Sequence, residues 1–186
     1  MKLSQIMLES LINDEDKVET YVNVAGGVII KEGENNESLV LLIRRAPDDH
    51  WPLRYEFPRG KCDKGSSEPL INCLKREIKE ETGLDVIPLK FIDKFSYVAE
   101  KGTRKSTQYN YLCKMKDPNQ PVKLSKEHDE YKWIGSVGEV ELMVAPECKK
   151  TISKVLNTDI QIVNYSHGEE EKITESYLKT LNALEK

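Results

Sequence analysis

The stretch EFPRGKCDKGSSEPLINCLKREIKEETGLD, from Glu56 to Asp85, decides the fold. Its second half predicts a helix over residues 69–82, because nothing there breaks a helix and a proline suits the first helical turn. Gly83 is placed to end this helix. At about 100° per residue, one stripe of the helix is apolar and faces a core. Its members are Ile71, Leu74 and Ile78.

The neighbouring face of the same helix is acidic. Glu77, Glu80 and Glu81 are related by i, i+3 and i+4, so their carboxylates gather and repel one another. Arg76 and Lys79 offset part of this charge. The arrangement favours two interpretations: a solvated helix face with ion pairs, or a set of hard oxygen ligands for Mg²⁺ or Mn²⁺.

The loop before the helix favours the metal interpretation. PRGKCDKGSS contains glycines, and Arg59 and Lys61 lie near its start. Hydrolysis of a pyrophosphate requires groups that neutralise its oxygens and a metal that activates water. Backbone N–H groups and cationic side chains beside metal-binding carboxylates can provide both. Arg59 and Lys61 are therefore candidate substrate-binding residues.

The whole stretch resembles the Nudix box, G-x5-E-x7-R-E-U-x-E-E-x-G-U, where U is apolar. Gly60 begins the pattern, and every position fits from Glu68 through Arg76 to Leu84. The departure is a loop of seven rather than five residues between Gly60 and Glu68. The resemblance implies the Nudix fold, a divalent-metal-dependent hydrolase of phosphoric anhydride bonds, and a structural pairing of Glu68 with Arg76.

The resemblance also implies the roles of the residues in the box. Glu80 and Glu81 would be the principal ligands of Mg²⁺ or Mn²⁺, and Glu77 would assist them. Gly60 would offer a backbone carbonyl or a close approach to the metal. Arg76 would hold the glutamates in place.

Two further stretches bear on the substrate. EFPRGK resembles segments of both messenger-RNA decapping enzymes and asymmetric dinucleoside tetraphosphate hydrolases, and VKLSKEHDEYKWIG resembles the LS-x-EH-x-x-Y-x-W segment of the animal-type diadenosine tetraphosphate hydrolases. That resemblance implies that Glu127 reaches the catalytic water or a metal, as a general base separate from the box. A plain surface acid is the alternative. His128 is a loop histidine or a phosphate-orienting group.

A predicted hairpin further along carries more candidates for substrate binding. Lys101, Arg104 and Lys105 at its tip are candidates for gripping outer phosphates, or are solvated turn residues. Tyr109 and Tyr111 share one face of the following strand. They either stack on a base or lie in the core.

The favoured function is hydrolysis of a dinucleoside polyphosphate or related nucleotide. RNA 5′-end or cap hydrolysis is the second interpretation, weakened because no extended Lys/Arg stripe appears and only about 17 residues precede the predicted domain. Sanitation of an oxidised nucleoside triphosphate comes third. A catalytically inactive Nudix-fold binding protein is a further alternative, although the box glutamates are all kept.

The remaining pattern predicts an α+β protein, an α/β/α sandwich with a mixed sheet. The predicted domain covers residues 18–156, between a helical extension at 1–17 and a helical extension at 157–186 whose amphipathic end could bind a protein partner. The predicted elements are a hairpin over 21–45, a brief strand at 55–57, strands at 89–99, 107–116 and 130–135, and a helix at 147–156.

Composition sets the outer limits. The 186 residues are 38% hydrophobic, which suits one domain with its own core. A net charge of −4 weighs against a duplex-DNA binder but leaves an acidic substrate open. No membrane span or signal peptide is recognisable, so a cytoplasmic protein is expected. The four cysteines are scattered singly, which favours reduced thiols over a disulfide framework or a zinc site.

Overall fold

The computed structural model describes residues 20–49, 51–62, 68–99 and 102–157. The predicted helical extensions at 1–17 and beyond residue 157, and the candidate Lys101, lie outside these ranges. Within them, seven strands, two α-helices and one 3-10 helix follow one another. They are β1 (Thr20–Glu32), β2 (Ser38–Arg45), β3 (Tyr55–Glu56), β4 (Arg59–Lys61), α1 (Leu70–Thr82), β5 (Val86–Ala99), β6 (Arg104–Met115), β7 (His128–Ile134), the 3-10 helix (Val137–Met143) and α2 (Pro146–Leu156).

The strands form one mixed sheet in the order β3-β2-β1-β6-β5, with β4 paired to β1 and β7 paired to β2. The β1–β6 pair is parallel, and the other ladders are antiparallel. Since β6 occupies one edge of β1, both β2 and β4 share the other edge. The short strands β3 and β4 therefore fill the space where β1 and β2 separate.

The pair β3 and β4 corrects one prediction. The sequence predicts a loop with at most a brief strand at 55–57, because prolines interrupt it. The structure has two short strands on either side of Pro58, each paired with a different long strand. Pro58 itself still takes part, since its carbonyl accepts a hydrogen bond of 2.8 Å from the N–H of Gly27.

The sheet separates two hydrophobic layers, each covered by one helix. Alternate residues of a strand point to opposite faces, so Ala25 and Ile29 contact the α1 layer while Val28 and Ile30 contact the α2 layer. The predicted α/β/α sandwich with a mixed sheet is confirmed.

Helix α1 begins one residue after the predicted start, with Pro69 at its N-cap position. It ends at Gly83, whose φ of 70° is left-handed and whose N–H bonds to the carbonyl of Lys79 at 2.9 Å. A side chain is rarely tolerated at this φ, and glycine adopts it readily. No helix in the described ranges is long and apolar enough to cross a membrane.

The prediction that the cysteines are reduced thiols is wrong for two of them. Cys62 and Cys73 form a disulfide that joins the residue after β4 to helix α1. The two Cα atoms lie 5.3 Å apart, although they are 11 residues apart in sequence. Cys113 and Cys148 are buried thiols, and burial raises the pKa of Cys148 to about 12.

Candidate active site

Arg76 is the centre of the hydrogen bonds on the acidic face of α1. Its Nε and Nη2 donate to the two carboxylate oxygens of Glu68 at 3.1 and 3.0 Å. Its Nη1 lies 2.7 Å from Glu77 Oε1 and 3.5 Å from Glu80 Oε2. Nη2 also donates to the carbonyl of Lys61 at 3.3 Å. One guanidinium thus joins the residues before α1, the helix itself and strand β4.

Strand β4 lies directly against this face at Gly60. A Cβ atom built there would overlap the carboxylate of Glu77. Gly60 is also paired with Ala25 of β1, so the strand cannot move outward without breaking the sheet. A side chain at residue 60 would have to displace the Glu77 carboxylate, which explains the glycine at the start of the box.

Glu81 is the most buried of the three helix glutamates, with 8% of its surface exposed. Burial raises the pKa of Glu81 well above its usual range, the hydrogen bond from the N–H of Arg59 (2.8 Å) opposes this, and the nearby Glu56 and Glu77 add to it. Burial also raises the pKa of Glu77. Burial therefore disfavours the ionised form of both carboxyls when no cation is bound.

This charge and donor set fit a divalent cation by chemistry. Carboxylates and a backbone carbonyl are the oxygen donors that Mg²⁺ and Mn²⁺ prefer. Among the described side chains, no three His, Cys, Asp or Glu residues are arranged so that they could hold a metal as they stand. Arg76 occupies oxygens of Glu77 and Glu80, and the Glu80 side chain, 59% exposed, is the one that can rotate with least disturbance.

The Arg59 side chain turns away from the box and into the protein. Its Nε donates to Glu56 at 2.7 Å, and its Nη1 donates to the hydroxyl of Tyr97 at 2.8 Å and to the side-chain carbonyl of Gln108 at 3.1 Å. The predicted substrate-binding cation is thus held by internal partners. Its backbone N–H, bonded to Glu81, is the part of Arg59 that faces the box.

The loop that carries Glu127 is joined to the end of α1. The backbone N–H of Ser125 donates to the carbonyl of Glu81 at 3.0 Å. On its other side, the carbonyl of Glu127 accepts from the N–H of Ala46 at 2.9 Å. The Glu127 side chain itself is exposed. Backbone contacts therefore fix the loop, and its carboxylate stays open to solvent.

The structure places His128 differently from the prediction of a loop histidine. It is the first residue of β7 and is buried. Its Nδ1 lies 3.3 Å from the hydroxyl of Ser125, and its Nε2 lies 3.8 Å from Glu56 Oε1. His128 thus lies beside the buried carboxylate of Glu56, which was not among the predicted site residues. The only available signal was its place in EFPRGK.

The other predicted substrate-binding residues are spread along the sheet. Lys61 is exposed at the end of β4, and Arg104 and Lys105 begin β6 beside the first residues of β1. Tyr111 is buried, with its ring 5.7 Å from that of Phe91, so it lies in the core, as one of the two interpretations held. Tyr109 is half-buried, with the ammonium of Lys94 5.6 Å from its ring centroid.

The fold is an α/β/α sandwich in which a glycine strand lies against a carboxylate-bearing helix. A family model described as NUDIX domain matches residues 21–153. The chain therefore belongs to the NUDIX family.

Individual relatives agree with this assignment. The mouse asymmetrical bis(5′-nucleosyl)-tetraphosphatase is 30% identical over 126 residues, 64% of this chain and 80% of that protein. The yeast mRNA-decapping enzyme subunit 2 is 33% identical over 81 residues, 44% of this chain and 7% of that protein. A crystal structure of a C. elegans Ap4A hydrolase binary complex has a TM-score of 0.59 at 24% identity and covers 72% of this chain and 94% of that one. This last likeness shows the fold.

Proposed function

We propose that this protein is a divalent-metal-dependent NUDIX pyrophosphohydrolase that cleaves a dinucleoside polyphosphate or a related nucleotide. The observation that carries the proposal is the hydrogen bond from Ser125 to the carbonyl of Glu81. It brings the LS-x-EH-x-x-Y-x-W segment, which resembles that of tetraphosphate hydrolases, to the carboxylate-bearing helix. Similarity to the mouse tetraphosphatase over 80% of its length supports the same substrate class.

In this proposal the box binds the metal. Glu80 and Glu81 are the principal ligands, with Glu77 assisting and the backbone carbonyl of Gly60 nearby. Mg²⁺ or Mn²⁺, when bound, neutralises phosphate charge and lowers the pKa of a bound water. Arg76 positions the carboxylates and, because it already bonds Glu77 at 2.7 Å, limits how far the ligands move.

Glu127 is the proposed general base. Its exposed carboxylate can meet a water molecule, while the loop backbone is fixed at Ser125 and at Ala46. A base outside the metal ligands keeps its proton affinity when the cation binds, which general base catalysis needs.

In this proposal, residues outside the metal-binding carboxylates bind the phosphates and a base of the substrate. Lys61, the residue after Gly60, is the proposed phosphate-binding cation at the box, and Arg104 and Lys105, with Lys101, serve the outer phosphates. Tyr109 is half-buried, whereas Tyr111 of the same strand is buried, so Tyr109 is the proposed base-stacking residue.

Hydrolysis of an RNA 5′ end or cap is the second candidate. The similarity to the yeast decapping subunit, at 33% identity, favours it. It covers only 44% of this chain, so the tetraphosphate proposal stays first.

A substrate panel in water enriched with heavy oxygen tests the proposal. Purified protein with Mg²⁺ or Mn²⁺ is given diadenosine tetraphosphate, capped RNA or triphosphorylated RNA. We expect a mononucleotide and a nucleoside triphosphate as unequal products of the tetraphosphate, with the label showing which phosphorus was attacked. Release of methylguanosine diphosphate alone would favour the RNA candidate, and no product from any substrate would favour a binding protein.

Three glutamine variants separate the roles. Glu81→Gln is expected to lower turnover by orders of magnitude, and Glu127→Gln to slow turnover while the metal still binds. Glu34→Gln is the matched control, because Glu34 is an exposed glutamate in the β1–β2 turn. Full turnover in Glu81→Gln would contradict the metal site.

A further inference from the structure

Glu56 is a buried carboxylate that the proposed mechanism does not use. Only 6% of its surface is exposed, yet it is held by two guanidinium groups. Arg59 Nε lies 2.7 Å from one carboxylate oxygen, and Arg45 Nη1 lies 2.7 Å from the other. His128 Nε2 is 3.8 Å from the oxygen that Arg45 contacts. One side chain therefore connects two cations from different strands.

The first of these cations leads to the metal-binding face. Arg59 begins β4, and its backbone N–H donates to Glu81 Oε2 at 2.8 Å. Tyr97 and Gln108 contact the far end of its guanidinium, and Glu56 is the carboxylate with which the Arg59 side chain forms an ion pair. Arg59 is therefore held both by this ion pair and by the pairing of its backbone with Gly26 of β1.

The second cation leads to the loop of the proposed base. Arg45 ends β2 and pairs in register with His128, the residue after Glu127. The next residue, Ala46, donates its N–H to the carbonyl of Glu127. A shift of Arg45 would therefore move Ala46, and with it the hydrogen bond to the backbone of Glu127.

We infer that Glu56 is a positioning residue that sets Glu81 and Glu127 relative to each other through Arg59 and Arg45. The inference rests on the proposed function, since Glu81 and Glu127 matter only if they bind metal and activate water. Glu56 touches neither substrate nor metal in this arrangement. Its effect is carried by the two guanidinium groups that it holds.

Glu56→Gln tests the inference by keeping the side-chain size and removing the charge. Partners that orient metal ligands typically change affinity or activity by about 10–100-fold when they are removed. We expect Mn²⁺ affinity, measured by titration of the full chain, to fall at least about tenfold, and kcat to fall as well. Glu56→Asp keeps the charge and is expected to recover part of both.

Arg45→Lys separates the two connections and also serves if Glu56→Gln does not fold. It alters the side that leads to Glu127 and leaves the Glu56–Arg59 pair in place. We expect a lower kcat with Mn²⁺ affinity retained. Asp93→Asn is the matched control, because Asp93 is a half-buried carboxylate bonded to Thr151 and Lys154 on the α2 side.

The outcomes distinguish failure of the positioning role of Glu56 from failure of the proposed metal site. Wild-type Mn²⁺ affinity and kcat in folded Glu56→Gln would overturn the positioning role, as would equal losses in Asp93→Asn. Equal losses of metal affinity and kcat in Arg45→Lys would overturn the separate path to Glu127. If wild-type protein binds Mn²⁺ no better than Glu81→Gln, the proposed metal site fails instead.

Discussion

Reduction of the Cys62–Cys73 disulfide is expected to destabilise the protein without removing any side chain. The bridge joins the end of β4 to α1, the two elements that meet at Gly60 and Glu77. It closes a short loop in the unfolded chain as well as in the folded one. The cross-link therefore acts mainly by limiting the conformations of the unfolded state.

The sequence separation sets the size of the effect. For a separation of 11 residues, the chain-entropy relation gives ~2.8 kcal/mol at 25 °C. With a denaturant dependence of about 1–3 kcal/mol per molar urea, this corresponds to an unfolding midpoint that is lower by about 1–3 M.

Urea unfolding of the wild-type protein with and without a phosphine reductant measures the difference in stability between the oxidised and reduced forms. Thiol titration in denaturant first establishes the redox state: two of the four cysteines should react before reduction and all four after it. Cys62→Ala combined with Cys73→Ala is the control, whose midpoint should not respond to the reductant. Equal midpoints for oxidised and reduced wild-type protein would refute the entropic argument.

Three other predictions concern the buried carboxylates. Gly60→Ala is expected to displace Glu77 and to lower the free energy of unfolding by about 1–3 kcal/mol together with turnover, as urea unfolding and steady-state kinetics would show. Glu81→Gln is expected to raise the stability of metal-free protein at pH 7, because burial raises the folded-state pKa of Glu81 above its unfolded value and ionisation therefore opposes folding there; a destabilised variant in chelator would contradict this. Glu56 acts with the opposite sign: burial alone would raise its pKa, but Arg59, His128 and Arg45 hold the pKa at about 2, below the unfolded value. Its stabilisation, roughly 3 kcal/mol, is present above about pH 4.3 and is lost as the pH falls towards 2, so acid titration of stability should be shallower in Glu56→Gln.

The sequence predicted those features that depend on neighbouring residues. Helix α1 was predicted to within one residue, since its apolar spacing, its N-terminal proline and Gly83 are all local signals. The α/β/α layers follow from the alternation in β1 and β2, where successive side chains belong to opposite cores. Family membership followed from the spacing of the box.

Features that depend on residues distant in sequence were not predictable. The disulfide requires β4 and α1 to lie side by side, which the isolated cysteines did not signal. Strand β4 is three residues long and directly follows a proline, so no periodicity could appear. Glu56 resembles any other acid in the sequence, and its importance arises only because Arg45 and Arg59 meet it in the fold.

The two buried glutamates differ in how their charge is compensated, and this difference supports the proposed cation site in the box. Glu56 and Glu81 are similarly buried, but Glu56 faces two guanidinium groups and Glu81 accepts one backbone N–H. Arg76 cannot supply the difference, because its nitrogens are bonded to Glu68 and Glu77. Glu56 is thus stable as an ion with protein partners alone. Burial disfavours the ionised form of Glu81, and a bound cation would favour it, which supports the proposed metal site.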